Sequence, residues 1–129
     1  RVFEMLVSSD QKMQVAFYKY LEEEYNDASE RLYYVDIGEI ARQLVVDFKE
    51  GETTYFKLFF EKVEVILQSC DNDVETLLVI GLFEDIQNIA GPEVNYYTGF
   101  NEWLKPISKL NWERVIDFWE GIDWRSKII

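Results

Sequence analysis

The chain has 129 residues, 25 of them acidic and 13 basic, with one cysteine and no histidine. That length suits one domain over residues 1–129 with a core that needs no covalent staples, and a hydrophobic content of 48% excludes a disordered chain. The missing histidine removes Ser-His-Asp and Cys-His catalysis and His-ligated zinc, lone Cys70 cannot form an internal disulfide, and a formal charge of −12 argues against direct binding to nucleic acid or an anionic membrane.

The apolar spacing is helical almost throughout. Ser8 and Gln11 are spaced as a capping box, with Asp10 as an acid in the first turn, and Met13, Ala16, Phe17, Tyr20 and Leu21 then share one face. Glu22–Glu24 reads as a solvated surface, and 26–30 as a break. Leu32–Val35 (LYYV) is rich in strand formers but lacks a pairing partner, so it reads as a connection or a short helical turn. Asp36 is the expected cap of the next helix, whose inner face is Ile37, Ile40, Ala41, Leu44 and Phe48 and whose end is Gly51.

Thr53 or Thr54 opens a third helix, with Phe56, Phe59, Phe60, Val63, Ile66, Leu67 and Cys70 at helical spacing. Cys70 continues this apolar face and so reads as a small buried hydrophobe. Asn72 and Glu75 form another capping box, and Gly91-Pro92 punctuates the end of that helix. The run LLVIGLF at 77–83 is nearly all apolar, so this helix should pass through the centre. At seven residues it falls far short of the roughly 20 that a membrane span needs. Residues 93–99 read as a loop and 100–104 as a turn or two of helix stopped by Pro106. The last helix should start at Ser108 or Asn111, with Trp112, Val115, Ile116 and Trp119 inward, and end at Gly121, leaving 123–129 as a tail. The expected architecture is all-α: a compact bundle of five main helices and one or two short ones. No signal-peptide pattern is visible, and the chain is expected in the cytoplasm.

Chemistry is hard to place on this pattern. Six isolated glycines make no phosphate loop. Asp71, Asp73 and Glu75 imitate the start of a calcium loop, but Thr76 stands where its glycine belongs and Leu82 where its closing glutamate belongs. Acidic neighbours such as Glu84 and Asp85 diverge by about 100° on a helix, unlike a glycosidase pair. No metal, cofactor or catalytic residue is assigned, and enzymatic activity is not expected.

The notable feature is electrostatic. From Val63 to Leu104 the chain carries eight acids and no lysine or arginine. Glu84, Asp85, Glu93, Asn95, Tyr96, Tyr97 and Glu102 are the candidates for a partner-binding surface, with Trp103 as an anchor. Five of them have a second reading: a solvated helix face for Glu84 and Asp85, a loop packed over the core for the tyrosines, and the core itself for Trp103. A basic protein partner is the class such a surface attracts.

Two segments, GLFEDIQN at 81–88 and WLKPISKLNWERVIDFWEG at 103–121, carry a resemblance. With its L-x-P-x-S and W-x-x-V-x-x-F-W-x-G spacings, the stretch over roughly 61–121 resembles the C-terminal half of small acidic all-helical immunity proteins of bacterial polymorphic toxin systems. The resemblance implies a protein that binds and inhibits a cognate toxin, a nuclease or other basic domain, and it transfers no individual contact residue. The alternative function is a non-catalytic helical adaptor or scaffold.

Overall fold

The computed structural model describes residues 1–26, 30–91 and 94–128. It is all-α: no strand occurs among the described residues. The helices are α1 (Val2–Val7), α2 (Gln11–Glu24), α3 (Tyr33–Lys49), α4 (Phe56–Ser69), α5 (72–90) and α6 (Pro106–Glu120), followed by a 3-10 segment over Ile122–Ile128. Five of these are long and α1 is short, which the sequence pattern did not mark.

Helix α5 is continuous but changes winding. Asn72–Thr76 and Glu84–Ala90 are α-helical, and Leu77–Phe83 between them has π-type hydrogen bonding. Leu78, Gly81, Leu82 and Phe83 are fully buried there, as an apolar central run requires. Helix α3 packs chiefly on α5, and α4 on α6. Gly81 makes the α3–α5 approach possible: a Cβ at this position would lie 2.9 Å from Ile37 Cγ2. A second core centre is aromatic. Phe56, Phe60, Phe100 and Trp112 are buried, and Phe100 stacks on Phe48 with centroids 4.6 Å apart.

Several local signals resolve differently from their sequence reading. Asp10, not Ser8, caps α2, accepting the Met13 N–H at 3.0 Å, while the Ser8 hydroxyl donates back to the Met5 carbonyl. Asp71, not Asn72, caps α5 and accepts the Val74 N–H at 2.9 Å. Ala16 is exposed on α2. Pro106 opens α6 rather than stopping a helix, at the position where its missing N–H costs nothing. The 123–129 tail is also corrected: the 3-10 segment covers all of it but Ile129, which lies outside the described residues, and its Trp124 is buried. Gly51 and Gly121 do end helices with left-handed φ, at 75° and 81°. Of the 26–30 break, residues 27–29 lie outside the described residues, as does Pro92.

Asp36 shows why a local cap motif can mislead. It lies inside the first turn of α3, fully buried, and accepts the Tyr20 hydroxyl at 2.9 Å, the Tyr25 hydroxyl at 2.7 Å and the Arg31 Nε at 3.0 Å. Tyr25 also accepts the Leu32 N–H, at 2.9 Å. These donors pull the carboxylate inward, so the helix begins four residues earlier than a cap at Asp36 would set it, at Tyr33.

The start of α6 is held by Glu64 of α4. This carboxylate, 7% exposed, accepts the Ile107 N–H and the Ser108 N–H, both at 2.9 Å, and the Ser108 hydroxyl at 2.8 Å. Burial raises its pKa, but the hydrogen bonds from Ile107 and Ser108 outweigh that and hold it below the usual carboxylate value. A depressed folded pKa stabilises above the unfolded value, about 4.3, and that stability is lost as pH falls through the folded value. Glu64→Gln should therefore lower the urea-unfolding free energy by roughly 2–3 kcal/mol at pH 7, and the gap to wild type should narrow as pH falls below about 4.3. An unchanged midpoint at pH 7 would contradict the assignment.

Candidate functional site

The residues that open α3 create one side of the site. Drawing Asp36 inward turns Leu32, Tyr33, Tyr34 and Val35 out to solvent, each exposed by 50% or more. Four consecutive large apolar side chains on a helix start are more than scattered surface apolarity. Tyr33 stacks on Phe3 of α1 with centroids 5.9 Å apart, and the Arg31 guanidinium lies over both rings, 5.0 Å from Phe3 and 5.3 Å from Tyr33. Tyr34 lies beside Gly81 of α5.

Between α1, α3 and the first turns of α5 is a cleft of about 560 Å³, walled by Arg1, Val2, Phe3, Tyr33, Tyr34, Asp73, Val74, Thr76 and Leu77. It continues as a seam between α3 and α5, where the bare Cα of Gly38 admits the Asp85 carboxylate; a Cβ there would stand 3.2 Å from Asp85 Oδ2. Asp85 is half-buried, and burial, then the charge of Glu84, pushes its pKa up to about 6. Asp71, Asp73 and Glu75 stand exposed at the start of the same helix. The seam thus joins carboxylates to exposed tyrosines. A hollow of about 300 Å³ between α2 and α3 offers less, because two of its charged walls are already joined: Arg42 Nη2 sits 2.6 Å from Glu39 Oε2.

The side of α5 facing α6 is different. There Val79, Ile80 and Glu84 meet Asn111, Arg114, Val115 and Phe118 around a groove of about 200 Å³. Phe118 is 78% exposed, and Trp119 and Ile122 stand out beside it in sequence, at 56% and 77%. Trp119 was expected inward and is not. The indole buried at this end is Trp124, which donates to Asp117 Oδ1 at 2.6 Å and stacks on Tyr97.

The residues singled out from sequence are not gathered on one face. Glu84 borders the α6 groove and Asp85 the α3 seam. Tyr96 and Tyr97 are half-buried and both donate to the Glu120 carboxylate at the end of α6. Burial and that contact raise the Tyr96 pKa, and for Tyr97 the Glu120 contact leads. The Tyr96 carbonyl also accepts Trp112 Nε1 at 2.8 Å. Asn95 closes its own turn, accepting the Tyr97 N–H and donating to Thr98 Oγ1. Trp103 packs edge-on against Phe56, 4.9 Å between centroids. Glu102 is exposed, and Glu93 lies outside the described residues. Tyr33, Tyr34, Phe118 and Ile122 are exposed as well, and none of them lies in the base-free run. The adjacent pair Phe118-Trp119 carried a usable signal: neighbours about 100° apart cannot both lie at the centre of one buried stripe.

Among the described residues no three His, Cys, Asp or Glu side chains converge as a metal site, and no helix is long and apolar enough to cross a membrane. Cys70 is half-buried at the end of α4, and burial, then the Glu75 charge, raises its thiol pKa. Residues 11–120 match the family described as Domain of unknown function (DUF7674), and the chain belongs to that family. No curated protein and no solved structure matches the chain.

The raised pKa of Asp85 gives a test of the seam. A folded pKa of about 6 exceeds the unfolded carboxylate value, about 3.9. The folded state therefore holds the proton more tightly, and this group's contribution to stability improves as pH falls from about 6 towards about 4. Asp85→Asn should unfold at higher urea than wild type at pH 7.5 and lose that advantage near pH 4. Equal midpoints at pH 7.5 would mean that Asp85 is not confined against α3.

Proposed function

We propose that the chain is a non-catalytic immunity protein that binds a cognate bacterial toxin domain with a basic surface and blocks it. The observation that carries this reading is the meeting of carboxylates and exposed tyrosines along the α3–α5 seam. The base-free run supplies Asp73 and Asp85, and α3 supplies Tyr33 and Tyr34. Negative charge speeds encounter with a basic groove. Tyrosines desolvated at the centre of such a contact slow release. A half-buried Asp85 that has no hydrogen-bond donor among the described residues would gain a cation from the partner, lowering its pKa and tightening the complex. A toxin that cuts nucleic acid fits this chemistry best, because its own substrate is a polyanion.

The test is co-expression with the product of the adjacent reading frame. The expected result is a one-to-one complex on co-purification and rescue of growth. Asp73→Lys combined with Asp85→Lys should weaken that complex by more than about tenfold and abolish rescue while the far-ultraviolet circular dichroism is retained. Wild-type affinity in this variant would remove the seam from the contact. Absence of any complex with the neighbouring product, together with stable association in another cellular assembly, would favour the helical-adaptor function.

A further inference from the structure

We propose that the groove between α5 and α6 is a self-complementary interface, in which a second copy of this chain docks about a two-fold axis running along the groove. Its walls differ in a way that such an axis resolves. One wall, from α5, carries Ile80 and Glu84; the other, from α6, carries Arg114 and Phe118. Among the described residues neither Glu84 nor Arg114 takes part in an ion pair. The groove therefore has one free acid and one free base on opposite sides. A two-fold axis along it lays α5 of each copy over α6 of the other. Glu84 then meets the Arg114 position of the second copy and the reverse, as an isologous contact demands.

The apolar part follows the same operation. Phe118 stands 78% exposed at one wall, and Ile80 stands 47% exposed at the other. The axis places each phenyl ring on the second copy's Ile80, beside a floor of Val79 and Val115. Leu110, one α-helical repeat before Arg114 on the same stripe of α6, is also 53% exposed and extends the apolar contact. An aromatic ring entering a pocket at the centre of a contact is the arrangement that dominates interface energy. Exposed Arg114 places a base on the α6 wall of the groove, which lessens locally the repulsion a chain of net charge −12 feels against its copy. This inference stands apart from the toxin reading, whose surface lies on the α3 side of α5.

Sedimentation equilibrium on the whole chain tests it. Wild type should approach twice the chain mass of 15.4 kDa as concentration rises. Phe118→Asp, at a position too exposed to disturb the fold, should raise the dimer dissociation constant by more than about tenfold. Glu84→Arg alone and Arg114→Glu alone should each weaken association by about tenfold. The double variant, with both charges exchanged, should return to within about threefold of wild type, because it restores the same two reciprocal pairs. A mass that stays monomeric up to about 200 µM, a dimer indifferent to Phe118→Asp, or a double variant as weak as the singles would each overturn the proposal. Loss of toxin protection in Phe118→Asp with the wild type monomeric would place the toxin in this groove instead, and would overturn it too.

Discussion

The Glu64 carboxylate determines where α6 begins, and the C-terminal third of the molecule is positioned from that point. Helix α6 has no side-chain cap of its own, and its first residue is Pro106. The orphan N–H groups of its first turn would be left unpaired against α4 without an acceptor, and a carboxylate suits a helix N-terminus better than a neutral group. Glu64 supplies that acceptor from 43 residues away in sequence. Once α6 is set at this height, Trp112 reaches the Tyr96 carbonyl, the Gln87 amide reaches the Trp112 carbonyl at 3.2 Å, and Glu120 meets Tyr96 and Tyr97. The groove beside α5 is a consequence of the same placement.

Asp36 and Asp47 follow the same rule with different donors. Asp47 accepts Gln43 Nε2 at 3.0 Å and the Tyr55 hydroxyl at 2.6 Å, and the Tyr55 pKa is raised by burial and by that contact. Asp36 takes two tyrosine hydroxyls and one guanidinium. Among the described residues, none of the buried carboxylates Asp36, Asp47 and Glu64 accepts a hydrogen bond from a lysine. For Asp47 and Glu64, hydroxyl and amide donors satisfy the buried anion without a second desolvated charge, whose penalty can exceed the Coulombic gain, whereas Asp36 adds the Arg31 guanidinium. Most of the described acids stay at the surface, and the buried Asp36, Asp47 and Glu64 each join elements the apolar pattern alone would leave loosely oriented.

The same residues mark the boundary of what could be read from sequence. The all-α class, the long helices, the buried faces of α3 and α4 and the central run of α5 follow from spacing, because they depend on where apolar side chains recur along one helix. The failures fall where a polar side chain answers to something distant in sequence. Asp36 has the local pattern of a cap, but Tyr20 and Tyr25 decide its place. Pro106 has the pattern of a stop, but Glu64 makes it a start. Trp119 has inward spacing, but periodicity says nothing of where neighbouring elements stop covering a helix. The candidate surface is least legible, since Tyr96, Tyr97 and Trp103 are consumed by contacts that no window of sequence displays, while Tyr33 and Tyr34 have the local pattern of a connection.

Helix α5 then carries the argument from fold to function. Its middle must be apolar on nearly every side because α3 and α6 both press on it, and Gly81 is needed where α3 comes closest. A helix buried on that scale can show polar groups only at its ends and along the narrow strips between its neighbours. Glu84 and Asp85 occupy two such strips, one turn beyond Gly81 and about 100° apart. The adjacency that looks like a paired acidic site in sequence therefore becomes a division. One carboxylate is delivered to a seam with tyrosines, the other to a groove with an arginine and a phenylalanine, and the central helix separates two surfaces of different chemistry. On the two proposals made above, a basic partner on one side of α5 and a second copy on the other would not compete for the same side chains.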